Sequence, residues 1–276
     1  MIDAHQHFWR LSRGDYPWPD ESVAPILRDY GPDDLRPHLR RAGVERTILV
    51  QATATVAETE FLLKIAAECD FVAGVVGWAD LSAPDALPTI DRLRRDPGLL
   101  GLRPMLQGIE DTDWILRDDV RPALAHMAGT GLRFDALVQP RHLGAIATLA
   151  DRHPTLAIVI DHLAKPRMGG IARPDEAWAA GMNALARRPN VWCKLSGMVT
   201  EIGPDWREAD LRPFADHVLA AFGPARVLWG SDWPVVDLAG GYDAWAAVTR
   251  SLLSGLDQAA RERVFSGSAQ QFYGLS

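Results

Sequence analysis

Ile2-Asp3-Ala4-His5-Gln6-His7-Phe8-Trp9 opens the chain, and how this stretch is read decides the fold. As a strand it sends His5 and His7 to the same side, about 7 Å apart along the chain, so that both imidazoles address one point. Further short runs rich in Val, Ile and Leu follow: Arg46 to Ala52, Phe71 to Trp78, Leu99 to Leu106, Arg133 to Gln139, Leu156 to Asp161, Val191 to Leu195 and Arg226 to Gly230. Segments with helical spacing lie between them, among them Pro84 to Arg95, Asp118 to Ala128, Pro174 to Arg188, Leu211 to Phe222 and Tyr242 to Leu253. This alternation predicts an α/β fold, a TIM (β/α)8 barrel with a parallel sheet. Pro122, Pro174 and Pro213 are expected near helix starts, where a missing N–H does no harm. Asp257 to Phe272, with Asp257 as N-cap and Gly274 beyond its end, is expected to form a closing helix. A doubly wound open sheet is the competing architecture, but no G-x-G-x-x-G turn follows the first strand.

Length and composition set the outer bounds. A chain of 276 residues fits one barrel domain spanning 1–276. The 47% hydrophobic and 24% charged composition is that of a globular chain able to bury a core. A formal charge of -7 without a long Lys/Arg run removes the footprint of sequence-independent phosphate binding, so no nucleic-acid partner is expected. Cys69 and Cys193 each sit within apolar runs, which suits a reducing compartment rather than a disulfide framework. Met1 leads directly into the first strand without a basic region and an apolar segment, and no run is long enough to span a bilayer. A cytoplasmic protein without a membrane partner is expected, as a monomer or homodimer.

Catalytic groups of a barrel gather at the C-terminal ends of its strands. His5 and His7 end the first strand, His162 follows the run Leu156 to Ile160, and Asp232 ends the last strand in Leu228-Trp229-Gly230-Ser231-Asp232-Trp233-Pro234. These four are the expected catalytic residues. The apolar neighbours of Asp232 are expected to raise its pKa and suit it to general-base work. The competing readings are two unrelated strand histidines, a loop-capping histidine and a loop-capping aspartate. Gln51, Trp78, Arg103, Gln139 and Lys194, also at strand ends, are expected to bind substrate. Arg103 serves as a planar fork and Lys194 as a point charge, unless they balance strand-end acids in structural ion pairs. Tyr16 and Trp18 offer further flat surfaces for a ring, or fill the core. Lys165 is expected to be solvated, and His38, His126 and His217 to be ordinary surface or packing residues.

Taken with Asp161-His162-Leu163-Ala164-Lys165-Pro166, Cys193-Lys194-Leu195-Ser196-Gly197 and Trp229-Gly230-Ser231-Asp232-Trp233-Pro234, the opening stretch resembles the amidohydrolase superfamily. More narrowly, the chain is similar to its sugar-lactonase branch of the amidohydrolase 2 type, which includes L-fuconolactonases and L-rhamnonolactonases. Tyr16-Pro17-Trp18 and Val75-Val76-Gly77-Trp78 look like the L-fuconolactonase kind, and the resemblance runs essentially from Met1 to the C-terminus. It implies the barrel, and it implies hydrolysis of a small sugar lactone to an aldonic acid. In that reaction Asp232 activates water, while His5, His7 and His162, or a bound metal, polarise the carbonyl. Metal-rich members place a histidine where this chain has Gln139, and no lysine ends the fourth strand, so a binuclear centre is not expected. The resemblance leaves two states open: no required cofactor, or one divalent metal, zinc suiting His5, His7 and Asp232 with a position left for water. The alternatives are a zinc-dependent decarboxylase of the same superfamily and a non-catalytic barrel that binds a sugar acid.

Overall fold

The computed structural model of the chain describes residues 1–171 and 173–275. Its strands are β1 Ile2–Gln6, β2 Arg46–Val50, β3 Val72–Gly77, β4 Leu99–Leu102, β5 Arg133–Ala136, β6 Ile158–Ile160, β7 Val191–Leu195 and β8 Val227–Trp229. They form one eight-stranded parallel sheet ordered β1 to β8 along the chain. A parallel bridge from Gln6 to Trp233, with His7 N–H donating to Trp233 O at 2.7 Å and Asp232 N–H to His5 O at 2.8 Å, brings the two edges together. The helices are α1 Pro32–Ala42, α2 Val56–Glu68, α3 Ala86–Leu93, α4 Arg121–Thr130, α5 Leu143–Arg152, α6 Glu176–Ala186, α7 Glu208–Phe222, α8 Gly241–Leu252, α9 Gln258–Glu262 and α10 Ser268–Tyr273. Each strand from β1 to β8 precedes one helix from α1 to α8, which is the (β/α)8 barrel the alternation predicts.

The boundaries depart from expectation where local chemistry intervenes. β4 stops at Leu102 rather than Leu106: Arg103 N–H still reaches Gly77 O at 2.9 Å, but Pro104 has no N–H with which to continue. α7 starts at Glu208, so Pro213 lies inside the helix instead of at its start. Pro174 precedes the true cap of α6, Asp175, whose carboxylate accepts the Ala177 and Trp178 N–H groups. Asp257 caps α9 through Ala260 N–H, and Gly274 ends α10 with φ of 68°, but a π-helical turn, Arg263–Gly267, divides the stretch into two helices.

Two apolar clusters hold the layers. Ile2, Ala4, Ile48, Val50, Val76, Val159 and Leu228 come from different strands yet pack together, so they fill the barrel's interior, where α10 joins them through Phe272 and Tyr273. The larger cluster lies between strands and helices and takes in Leu35, Leu62, Ile90, Leu124, Ile146, Met182 and Phe214. No helix among the described residues is long and apolar enough to cross a membrane.

Tight packing leaves little room between β4 and β5. A Cβ at Gly101 stands only 2.6 Å from Arg133 O, and backbone cannot swing aside as a side chain can. At the end of β2, buried Glu58 of α2 accepts the N–H groups of Ala52 at 3.0 Å and Thr53 at 2.9 Å, which pins the loop that leaves the strand. Thr55-Val56-Ala57-Glu58 reads as a capping box, and Thr55 Oγ1 does accept Glu58 N–H, but the carboxylate turns instead to the β2 loop. Burial pushes the Glu58 carboxyl up from 4.5 to about 7, over the opposing pull of those N–H groups.

Gly101→Ala is expected to destabilise the protein by about 1–3 kcal/mol, read as a lowered urea midpoint with unchanged slope. The raised carboxyl of Glu58 gives a second expectation. The folded state binds that proton more tightly than the unfolded chain, so its contribution is complete below pH 4.5 and is lost as pH rises to about 7. Glu58→Gln should remove a negative contribution and so make the slope of Tm with pH more positive across that window. In the background, Asp3, whose carboxyl burial raises to about 6, slopes the same way as Glu58, and His162, which burial lowers to about 4, slopes the opposite way. An unchanged slope in the variant would show that Glu58 does not titrate there.

Candidate active site

His5 in β1, His7 just past its end and Asp232 in the loop after β8 form the first parts of the site. His5 Nε2 and His7 Nε2 lie 3.2 Å apart, His7 Nε2 is 3.3 Å from Asp232 Oδ1, and His5 Nε2 is 3.6 Å from it. His162, from the turn after β6, adds its Nε2 at 3.7 Å from the same oxygen. Three imidazoles thus converge on one carboxylate oxygen, all four residues being buried.

Two of these side chains are aimed by unusual backbone. His162, Leu163, Ala164 and Lys165 form a left-handed turn with φ of 51°, 54°, 59° and 49°, and Asp232 has φ of 60°. Such conformations cost non-glycine residues about 1–2 kcal/mol each, so the surroundings must hold them. Trp178 Nε1 donates to Leu163 O at 2.8 Å, and His162 Nδ1 meets Ser196 Oγ at 2.9 Å. Gly197, itself at φ of 64°, leaves room for the imidazole: a Cβ there stands 2.5 Å from His162 Nδ1.

The electrostatics differ from the expectation for Asp232. Burial raises its pKa, but His162, His7 and His5 outweigh burial and hold it well below the ordinary carboxylate range. Trp233 packs its ring against Phe8, Tyr30 and His38, and it is the imidazole nitrogens, at 3.3, 3.6 and 3.7 Å, that face the charge. Burial lowers His162 to about 4 and, with Lys194, takes His5 well below the usual imidazole range.

Proton positions follow from the partners. His7 Nδ1 meets Val50 O at 2.7 Å, and because a carbonyl only accepts, neutral His7 keeps its proton there. Its Nε2 and Asp232 Oδ1 then face each other as two electron-pair donors, and a cation between them satisfies both. The three edges among His5 Nε2, His7 Nε2 and Asp232 Oδ1 resemble the roughly 3.3–3.4 Å edges of a tetrahedron with zinc-ligand bonds of about 2.0–2.1 Å. The Nδ1 contact of His7 with a carbonyl is the outer support such a ligand needs. Donors face both His5 nitrogens, Lys194 Nζ at 3.1 Å from Nδ1 and Arg103 Nη1 at 3.4 Å from Nε2; shifting the ring proton to Nδ1, which also faces Asp161 at 3.4 Å, frees Nε2 to hold a metal. With that shift the donor set fits one divalent ion.

A cavity of about 500 Å³ opens above these groups and is lined by His7, His162, Asp232, Arg103 and Trp18 among others. His5 lies just beneath. Arg103 Nη1 comes within 3.4 Å of both His5 Nε2 and Asp161 Oδ2, and its other nitrogen donates to Gln51 O. Trp18 presents its ring to the cavity while its N–H donates to Ala52 O at 2.8 Å.

Five residues expected to bind substrate lie elsewhere. Lys194 is fully buried below the site, 2.5 Å from Asp135 Oδ2 and 3.0 Å from Asp161 Oδ1, because two buried carboxylates need a cation. Gln51 is also fully buried, its amide donating to Arg103 O at 2.8 Å. Tyr16 turns its hydroxyl inward beside Glu58. Gln139 is exposed at the mouth of a separate cleft, where its Oε1 accepts from Arg141. Trp78 lines an adjoining cleft. Conversely, Lys165 is not freely solvated: it lines the cavity and pairs with Glu201 at 3.2 Å. Glu201, Thr200, Met105 and Gln107 also line the cavity. Met105 falls within the run expected as strand, Gln107 stands in a 3-10 turn at Leu106–Gly108, and Thr200 and Glu201 stand in the turn after β7, so none is marked by strand-end spacing.

The amidohydrolase family model matches residues 2–275. An L-fucono-1,5-lactonase of Burkholderia ambifaria is 48% identical over 276 residues, a match covering 99% of this chain and 94% of that protein. A second L-fucono-1,5-lactonase, from Burkholderia multivorans, is 39% identical over 286 residues, covering 99% and 96%. A crystal structure of an amidohydrolase from Burkholderia multivorans with bound zinc superposes with a TM-score of 0.92 at 37% identity, over 100% of this chain and 99% of that one. Agreement of that length and closeness, in a barrel whose histidines and aspartate meet at one point, makes this chain a member of the amidohydrolase family.

Proposed function

We propose that the chain hydrolyses the ester bond of a sugar lactone of the L-fucono-1,5-lactone kind, releasing the aldonic acid. The observation that carries this reading is the convergence of three imidazole Nε2 atoms on Asp232 Oδ1 at the floor of a cavity of about 500 Å³. The full-length likeness to two L-fucono-1,5-lactonases supports the substrate class.

In the proposed reaction, Asp232, ionised because its pKa is held low, orients a water molecule and takes its proton as the oxygen attacks the lactone carbonyl. Arg103 donates to the developing oxyanion from the cavity wall. The bond from the carbonyl carbon to the ring oxygen then breaks. A carboxylate with so low a pKa does not keep the proton, and His162 Nε2, 3.7 Å away, relays it to the departing ring oxygen. When bound, a divalent ion held by His5, His7 and Asp232 supplies Lewis-acid polarisation of the carbonyl oxygen. Cavity-facing Trp18 gives the sugar ring an apolar face. We place this activity in the cytoplasm, in keeping with the buried free thiols of Cys69 and Cys193, on one (β/α)8 domain acting as a monomer or homodimer.

Asp232→Asn should lower kcat for L-fucono-1,5-lactone by about 10²–10⁴-fold, followed with a pH indicator, while circular dichroism stays that of the folded protein. Near-normal turnover would remove Asp232 from the proton path. Gly197→Ala, which drives a methyl group into the His162 ring, should lower kcat by about 10²-fold through misplacement of that imidazole. Full activity in this second variant would show that the position of His162 does not matter.

A further inference from the structure

The catalytic cavity adjoins a second one. Ala54, Met105 and Gln107 line both, and beyond them lies a cleft of about 320 Å³ whose walls carry Trp78 and Trp114. That volume is within the roughly 300–1,000 Å³ range of small-molecule sites.

The indoles of this cleft differ from the rest. The chain has ten tryptophans. Trp9, Trp18, Trp178, Trp206, Trp229 and Trp245 each donate the ring N–H to a protein oxygen, and Trp192 and Trp233 bury theirs. Trp78 and Trp114 are half-buried, and among the described residues their ring N–H groups have no protein acceptor. The side-chain amide of Gln107, at the junction of the two cavities, is likewise without a protein partner. Asp80 on the same wall uses Oδ1 for Ser82 and leaves Oδ2 unengaged.

We infer that the cleft between Trp78 and Trp114 is a glycosyl-binding subsite, and that the substrate is a lactone carrying a further, neutral sugar residue on its ring. The inference deepens the lactone-hydrolase reading and rests on it. Indole faces accept the C–H face of a pyranose, while free indole N–H groups, an amide and a carboxylate oxygen answer its hydroxyls. The charge selects as well. Asp80 is the lone ionic group among the residues lining the cleft, so a carboxylated or phosphorylated extension meets a like charge there. The wall is also built in advance. The Arg141 guanidinium donates to Gln107 O, Ile109 O, Glu110 O and Thr112 Oγ1, fixing the loop that carries Gln107 and leads into Trp114.

The test compares kcat/KM for L-fucono-1,5-lactone, for its mono-O-glucosyl derivatives at each ring hydroxyl, and for the matching O-benzyl derivatives. At least one glucosylated lactone should be a better substrate than the parent. Trp114→Ala should lower kcat/KM for that substrate by about tenfold, a loss of some 1.4 kcal/mol, and leave the parent within about twofold. Trp114→Phe, which keeps a flat face but no N–H, should fall between. Hydrolysis of the parent with rejection of every glucosylated lactone overturns the subsite, and so does a Trp114→Ala variant with an unchanged substrate ratio. A preference for benzyl over glucosyl overturns the sugar and leaves a plain apolar slot. If the parent itself is not hydrolysed, the lactonase reading fails separately. The subsite then stands or falls on calorimetric binding of methyl glucosides, which should weaken about tenfold in Trp114→Ala and be undetectable in both proteins if the inference is wrong.

Discussion

One buried carboxylate joins the two ends of the barrel. Asp3 Oδ1 accepts the N–H of His5 at 3.1 Å and that of Ser231 at 2.8 Å, and its Oδ2 accepts the Tyr242 hydroxyl at 3.1 Å. The first strand and the loop after the last are thereby locked in register, and the site depends on that lock. It adds to the backbone bonds from His7 N–H to Trp233 O and from Asp232 N–H to His5 O, which by themselves leave Ser231 and Tyr242 untied to the first strand. An unpartnered buried carboxylate is costly, so the three donors make this arrangement strongly preferred over any slipped one.

Below the converging imidazoles and Asp232 the interior is ionic rather than greasy. Asp135 and Asp161 share Lys194, Asp135 also takes the Tyr273 hydroxyl at 2.7 Å, and Asp161 faces both Arg103 and His5. The two acids respond in opposite directions. Burial dominates Asp135 and raises its pKa, whereas Lys194, His5 and Arg103 overcome burial at Asp161 and hold it well down. Such a network is a poor source of net stability, because desolvation offsets most of the attraction. Its effect is orientational: it presents Arg103 and His5 at fixed angles to the cavity, and it reaches through Tyr273 to the last helix, so the C-terminus helps to hold the site.

Strain concentrates at the same place. The left-handed turn from His162 to Lys165 and the left-handed Asp232 are conformations that free peptides with these residues avoid. Buried contacts at Leu163 and Ala164, the Trp178 bond and the space left by Gly197 hold them. The turn aims His162 at Asp232 and puts Lys165 on the cavity rim beside Glu201. A regular loop after β6 would point the imidazole elsewhere, and this explains why rigid and otherwise disfavoured backbone is tolerated here.

Periodicity was enough to reveal the barrel, since buried parallel strands read as apolar runs and their intervening helices as amphipathic ones. His5, His7, His162 and Asp232 were legible because strand ends in this architecture point into one mouth. The sequence could not show which of the neighbouring polar strand-end residues reach that mouth. Lys194, Gln51 and Arg103 look alike along the chain, yet two are buried beneath the cavity and one lines it. Nor could it show the sign of the shift at Asp232, because the expected effect of burial was outweighed by imidazoles from elsewhere in the chain, His5 and His7 from its first strand region among them. Local pattern determines which elements form and which side chains can carry chemistry. Pairing, burial and charge balance are sums over groups far apart in sequence, so only the tertiary structure decides them.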